Sequence, residues 1–200
     1  MKKKILCACL CACILLCACV LPSSASEKYF CYTAVVIDSD DIEGFANAEG
    51  ILRSVISQIH DLGVSATFYL DADDIAENHD LAAALIYFKV NGFDVGIFTN
   101  DTLAAQELNY IIQYITKSTS RLVLCEEECA EDFENAGYSA VSKFDLTFSK
   151  EEKGSLSLSE DSDTFVLFDL YEGSWDDIKS IYELALEKNT EVRGVVCKTN

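Results

Sequence analysis

Apolar, β-branched and aromatic runs bounded by Gly or Asp recur at even intervals along the chain. They are FCYTAVVID (30–38), VSATFYL (64–70), FDVGIFT (93–99), RLVLC (121–125), YSAVSKFDL (138–146), DTFVLFDL (163–170) and EVRGVVCK (191–198). Each has the length and composition of a strand, which predicts seven of them. Between most strands the apolar spacing switches to a helical period. Ile51, Leu52, Val55, Ile56, Ile59 and Leu62 form one such stripe, closed by Gly63 as a C-terminal signal. Further helices are predicted over Ile75 to Val90, ending at Asn91-Gly92, over Leu103 to Ile115, and over Trp175 to Leu186, opened by Ser174 with Asp177 as a capping pair. A shorter one runs from Glu127 to Asn135 before Gly137. Nearly continuous apolar strands alternating with helices predict an α/β domain in which helices cover the outer side of a parallel sheet. Closed, the sheet is a small β/α barrel; open, it is doubly wound. There is no internal repeat. The charged, Ser-rich stretch 149–163, SKEEKGSLSLSEDSD, is too long for an ordinary turn and reads as a mobile loop within the domain.

The first residues do not belong to this pattern. MKKK followed by ILCACLCACILLCACVL is a basic start and an apolar run of export-signal length. Ser24 and Ser26 place small side chains where a signal peptidase reads, which assigns residues 1–26 to a signal peptide and 27–200 to the domain. The rival reading is Leu16-Cys17-Ala18-Cys19, similar to the lipobox of bacterial lipoproteins, which would leave a lipid anchor on Cys19. Both readings place the domain outside the cytoplasmic membrane, secreted or held at the cell envelope. No later apolar run reaches the ~20 residues that a membrane span requires.

Half the residues are hydrophobic, enough for a sizeable core in a chain of 200 residues. The formal charge is −19, and loss of the signal with its three lysines makes it more negative still. Such a surface repels nucleic acid and anionic lipid and keeps an exported protein soluble. Six of the ten cysteines lie in the signal, leaving Cys31, Cys125, Cys129 and Cys197. Cys125 and Cys129, in CEEEC, would bridge if a helical turn forms between them, or would remain small buried thiols. Two cysteines without neighbouring histidines make a poor zinc site.

At several segments the chain resembles the polysaccharide deacetylase family, the NodB-type carbohydrate esterases. Leu62-Gly63-Val64-Ser65-Ala66-Thr67-Phe68-Tyr69-Leu70 looks like that family's GVKATFFV strand. Asn91-Gly92-Phe93-Asp94-Val95-Gly96 resembles its EGHEIGNH segment, and Asn135-Ala136-Gly137-Tyr138 its AGY approach to a later strand. The resemblance implies a seven-stranded irregular parallel β/α barrel of the glycoside hydrolase/deacetylase type. It also implies a divalent metal, usually zinc, held by one Asp of TFDDGP and two His of HTxxH, with the other Asp as general base. Here Val36-Ile37-Asp38-Ser39-Asp40 stands at the first motif, keeping the base as Asp38 and replacing the metal ligand by Ser39. The two His positions fall on Phe98 and Thr102. CEEEC replaces RPPYG, and Val166-Leu167-Phe168-Asp169 replaces LLHD, with Phe168 at the His that acts as general acid. His60 and His79, the chain's two histidines, fall in helical stretches. A zinc site needs about three N, S or O donors at ~2.0 to 2.3 Å, and a benzyl ring supplies none. The zinc site is therefore read as lost, with Phe98 and Phe168 filling the mouth.

Parallel strands open all their C-terminal ends on one side, where such barrels place their sites. Asp38 is the catalytic candidate there, and Asp40, Asp71, Asn100, Asp101 and Asp169 are candidates for binding a cation or a glycan. A crowded set of oxygens suits calcium or magnesium. Carboxylates with aromatic faces such as Tyr69, Tyr171 or Trp175 suit a neutral glycan. Asp is also a common helix N-cap, and Asp71 and Asp101 sit where helices begin. Three functions remain open: an exported deacetylase-like protein without zinc catalysis that binds cell-wall glycan or an envelope protein, a divergent metal-dependent deacetylase, and a purely structural protein with a filled pocket.

Overall fold

The computed structural model describes residues 29–37, 48–63, 65–72, 79–149, 154–170 and 174–195. The segment 1–26 with Cys19, the candidates Asp38 and Asp40, and Ser39, Tyr171 and Cys197 lie outside them. Strand and helix alternate as β1 (Phe30–Ile37), α1 (Ala48–Asp61), β2 (Thr67–Asp71), α2 (His79–Val90), β3 (Asp94–Phe98) and α3 (Thr102–Thr116). They continue as β4 (Leu122–Leu124), a 3-10 turn (Glu127–Cys129), α4 (Ala130–Asn135), β5 (Ser139–Val141), β6 (Leu146–Phe148), β7 (Thr164–Asp169), α5 (Ser174–Glu187) and β8 (Glu191–Gly194).

All described strand pairs are parallel, in the order β5-β4-β3-β2-β1-β7-β6, with β8 also on β1. This is the irregular β/α barrel that the resemblance implies, one of the two forms the strand pattern left open. Seven strands form the curled sheet, and β8 takes the remaining half-edge. The first half of β1 pairs β8 through Phe30 to Thr33, and the second half pairs β2 through Ala34 to Ile37. Buried threonines secure the junction: Thr33 donates to the Ser65 carbonyl at 3.0 Å and Thr67 to the Val195 carbonyl at 2.9 Å.

The fifth predicted strand, 138–146, is in fact two. The segment Ser142 to Asp145, polar except for Phe144, carries the chain from one edge of the sheet to the other, so β5 pairs β4 while β6 pairs β7. Asp145 secures the second half, its carboxylate accepting from Phe165 N at 2.8 Å while its own N–H donates to the Phe165 carbonyl at 2.9 Å.

Period-two alternation sorts each strand between two cores. Val35, Ile37, Phe68, Leu70, Ile97, Val123, Val166 and Phe168 meet the helices. Phe68 stacks on Phe88 of α2 at 4.4 Å and takes the edge of Phe93 at 5.2 Å. Burying such rings contributes roughly 1.5–3 kcal/mol each. Ala34, Val36, Tyr69, Leu122, Leu124 and Val195 form a second cluster on the concave face.

The described part of the 149–163 stretch, from Gly154 onward, is anchored. Leu158 is buried in the outer core, and Lys188 donates to its carbonyl at 2.9 Å and to Glu160 at 3.2 Å. The Asp163 carboxylate accepts from Phe30 N at 2.9 Å. Leu158 is the one buried residue of 154–163, and these contacts fasten the Ser-rich segment to α5 and β1.

Candidate functional site at the strand C-termini

Cross-strand register stacks the concave face in levels. Val36, Tyr69, Gly96 and Asp169 share one level. Asp71, Phe98, Leu124 and Val141 share the next, nearer the mouth. The largest side chain of the lower level is Tyr69. Tyr69 is fully buried, and its ring lies so close over Gly96 that a Cβ there would collide with it. Tyr69 is thus a plug and not the glycan-stacking face that its position in the sequence suggested. An isolated Gly inside a strand is a signal of such close approach, so Gly96 could have pointed to it.

At the upper level Phe98 is half-buried and packs with the apolar concave cluster beside Val141 and Phe144. Thr102, which the resemblance sets against the second His, is the first residue of α3. Phe168 corrects the expectation that two rings meet over the mouth. It faces away from the concave side, fully buried under the helices and stacked on Phe148 at 5.4 Å. The strand alternates strictly, Thr164, Val166 and Phe168 outward to the helices and Phe165, Leu167 and Asp169 inward, so a shift of one residue exchanges the faces. The inward neighbours of the supposed acid position are Leu167 and Asp169.

Of the candidate ligands, Asp71 and Asp169 are both half-exposed on the concave face, one level apart. Asn100 and Asp101 are engaged elsewhere. The Asn100 side-chain oxygen Oδ1 accepts from Glu126 N at 2.8 Å, tying the β3 end to the β4 end. Asp101 is the N-cap of α3, accepting from Leu103 N at 2.8 Å, while its own N–H donates to Thr99 Oγ1 at 3.1 Å. Among the described residues no three of His, Cys, Asp or Glu gather as a metal cluster. His60 is exposed beside Asp61 at the end of α1. Trp175 is half-buried against the outer core.

At the two described positions that the resemblance sets against zinc ligands, the residues do not fit zinc: Phe98 packs against an apolar cluster and Thr102 starts a helix. Cys125 follows β4 and Cys129 ends the 3-10 turn; both are free thiols, as is Cys31. Burial, then the neighbouring Cys129 and Glu126, pushes the Cys125 thiol up to about 11. A hollow of about 90 Å³ lined by Lys89, Asp94, Thr116 and Ser118 lies at the opposite end of the sheet, where β3 begins.

No family profile matches the chain and no curated relative does. Solved structures do. A polysaccharide deacetylase from Bacillus cereus superposes with a TM-score of 0.65 at 11% identity, covering 86% of this chain and 95% of that one. A family 4 carbohydrate esterase from Bacillus anthracis gives 0.61 at 13% identity over 84% of this chain and 81% of its own. A mutant of a CE4 family pseudoenzyme gives 0.60 at 13% identity over 85% and 67%. The fold is that of the NodB-type deacetylases.

Proposed function

We propose that this chain is a deacetylase-fold protein of the cell envelope that binds envelope glycan or protein and does not perform zinc-dependent acetyl hydrolysis. The observation that carries the reading is the apolar packing of Phe98 at a position that must supply a zinc ligand. Tyr69 adds to it, because its buried ring occupies the concave space below the mouth. A pseudoenzyme shares this fold, so the scaffold tolerates loss of the reaction. The export signal supplies the location, and Cys19 an alternative lipid anchor.

A second reading rests on Asp71 and Asp169, two carboxylates on the same concave face. With Asp38 as base and Asp40 nearby in sequence, they would give calcium or magnesium an oxygen set in a divergent deacetylase. Metal analysis of the purified protein, run beside hydrolysis of acetylated chitooligosaccharide and peptidoglycan fragments, separates the two. The first reading expects substoichiometric transition metal and no turnover. Stoichiometric zinc with turnover abolished by Asp38→Asn overturns it, and turnover dependent on calcium or magnesium establishes the second.

A further inference from the structure

We propose that the solvent face of α3 is a self-association surface on which a second copy of this chain docks antiparallel. The helix is apolar on two sides. Ala105, Leu108 and Ile112 are buried in the core, yet Leu103, Tyr110 and Tyr114 remain 60%, 73% and 80% exposed. With Glu107 and Lys117, also exposed, they fall at alternating steps of four and three residues, the repeat of a two-helix seam. Ile86 and Val90 on α2, the helix packed beside α3, are also 54% and 79% exposed.

Charge identifies the occupant. Two chains of net charge −19 repel each other over most of their surfaces. The α3 stripe holds one acid and one base, so it is neutral, and their positions are self-complementary. A twofold axis at the level of Ile112 sets Tyr110 against Tyr114 of the second copy, and Glu107 against Lys117 of the second copy, each contact occurring twice. Lys117 is already held at the end of the stripe. It caps α3 in the left-handed region at φ 62°, and its Nζ donates to the Tyr114 carbonyl at 2.7 Å and lies 5.1 Å from that ring's centre. Glu107 has no ion-pair partner among the described residues.

Sedimentation equilibrium of the purified protein across a wide concentration range tests this, with circular dichroism to verify that each variant folds. Glu107→Lys or Lys117→Glu alone creates two like-charge contacts per dimer and weakens association about tenfold. The double variant restores it to within about threefold of the parent, because the pair is merely exchanged. A protein that stays monomeric at all concentrations overturns the proposal. So does a dimer indifferent to the single reversals, or a failure of the double variant to recover. Capture of a glycan or a different protein on this face by a monomeric chain overturns it too.

Discussion

Tyr69 and Gly96 show how one pair of residues decides what the concave face can hold. The ring rests where a side chain on Gly96 would be, so Gly96→Ala forces a displacement inside a closed cluster. Overpacking of that kind costs about 1–3 kcal/mol. Urea denaturation is expected to show that loss, and Tyr69→Leu in the same chain is expected to relieve part of it. If the two losses simply add, the ring is not the obstacle. Cys31 supplies a second residue-scale test. Fully buried on β1, its thiol is pushed from 9.0 to about 12 by desolvation. A folded-state value above the unfolded one favours the fold while both states stay protonated, and that stability is lost as pH rises from about 9 toward 12. Cys125 acts in the same direction up to about 11. Denaturation midpoints should therefore fall above pH 9, and Cys31→Ala should flatten the slope. An unchanged slope would show that the thiol is not protected by burial. The sequence made the apolar identity of Phe98 legible, whereas its register neighbours Asp71 on β2 and Leu124 on β4 come from strands far along the chain that no local pattern announces.

Among the elements, α3 is the one whose beginning was most legible and most ambiguous. Asp101 stood in the sequence as either a helix cap or a cation ligand, and its 2.8 Å contact with Leu103 N places it as the cap. Asp101→Ala is expected to cost about 1 kcal/mol and Asp101→Ser little. Thermal melts of the parent protein in calcium and in chelator should coincide if capping is its whole contribution. A calcium-dependent rise lost in Asp101→Ala would restore the ligand reading. The other end of this element was not legible at all. Asn109 grips Ser120 from both sides, donating to its carbonyl and accepting from its N–H at 2.8 Å each, and Ser120 Oγ in turn donates to the Val95 carbonyl at 2.7 Å. A polar residue inside a helix pattern reads as solvent-facing, and only the packing of α3 against the turn before β4 gives it a backbone to satisfy. Asn109→Ala leaves a buried N–H and carbonyl short of partners, at about 1–3 kcal/mol. Phe168 failed for a related reason: matching letters between VLFD and LLHD ignores which face each position takes, and the burial of alternate residues settles that.

At the scale of the whole molecule, alternation of strand and helix was enough to foresee a parallel sheet, but not how it ends. Whether the curl closes depends on the segment Ser142 to Asp145, where a polar break inside one apolar run sends the chain across the sheet and leaves β5 and β6 on opposite edges. Each of these edge strands has three residues, against eight in the central β1. Edge backbone bonded on one side opens at lower free energy than a central strand flanked on both. Hydrogen exchange followed by mass spectrometry should therefore exchange peptides spanning Ser139 to Phe148 well before those spanning Ala34 to Ile37. Asp145→Ala should accelerate β6 selectively, because it removes the carboxylate that holds Phe165 N. Uniform protection across both regions would mean that the seam is closed in solution by contacts other than strand pairing. The concave face would then be a sealed core instead of a surface open along one side.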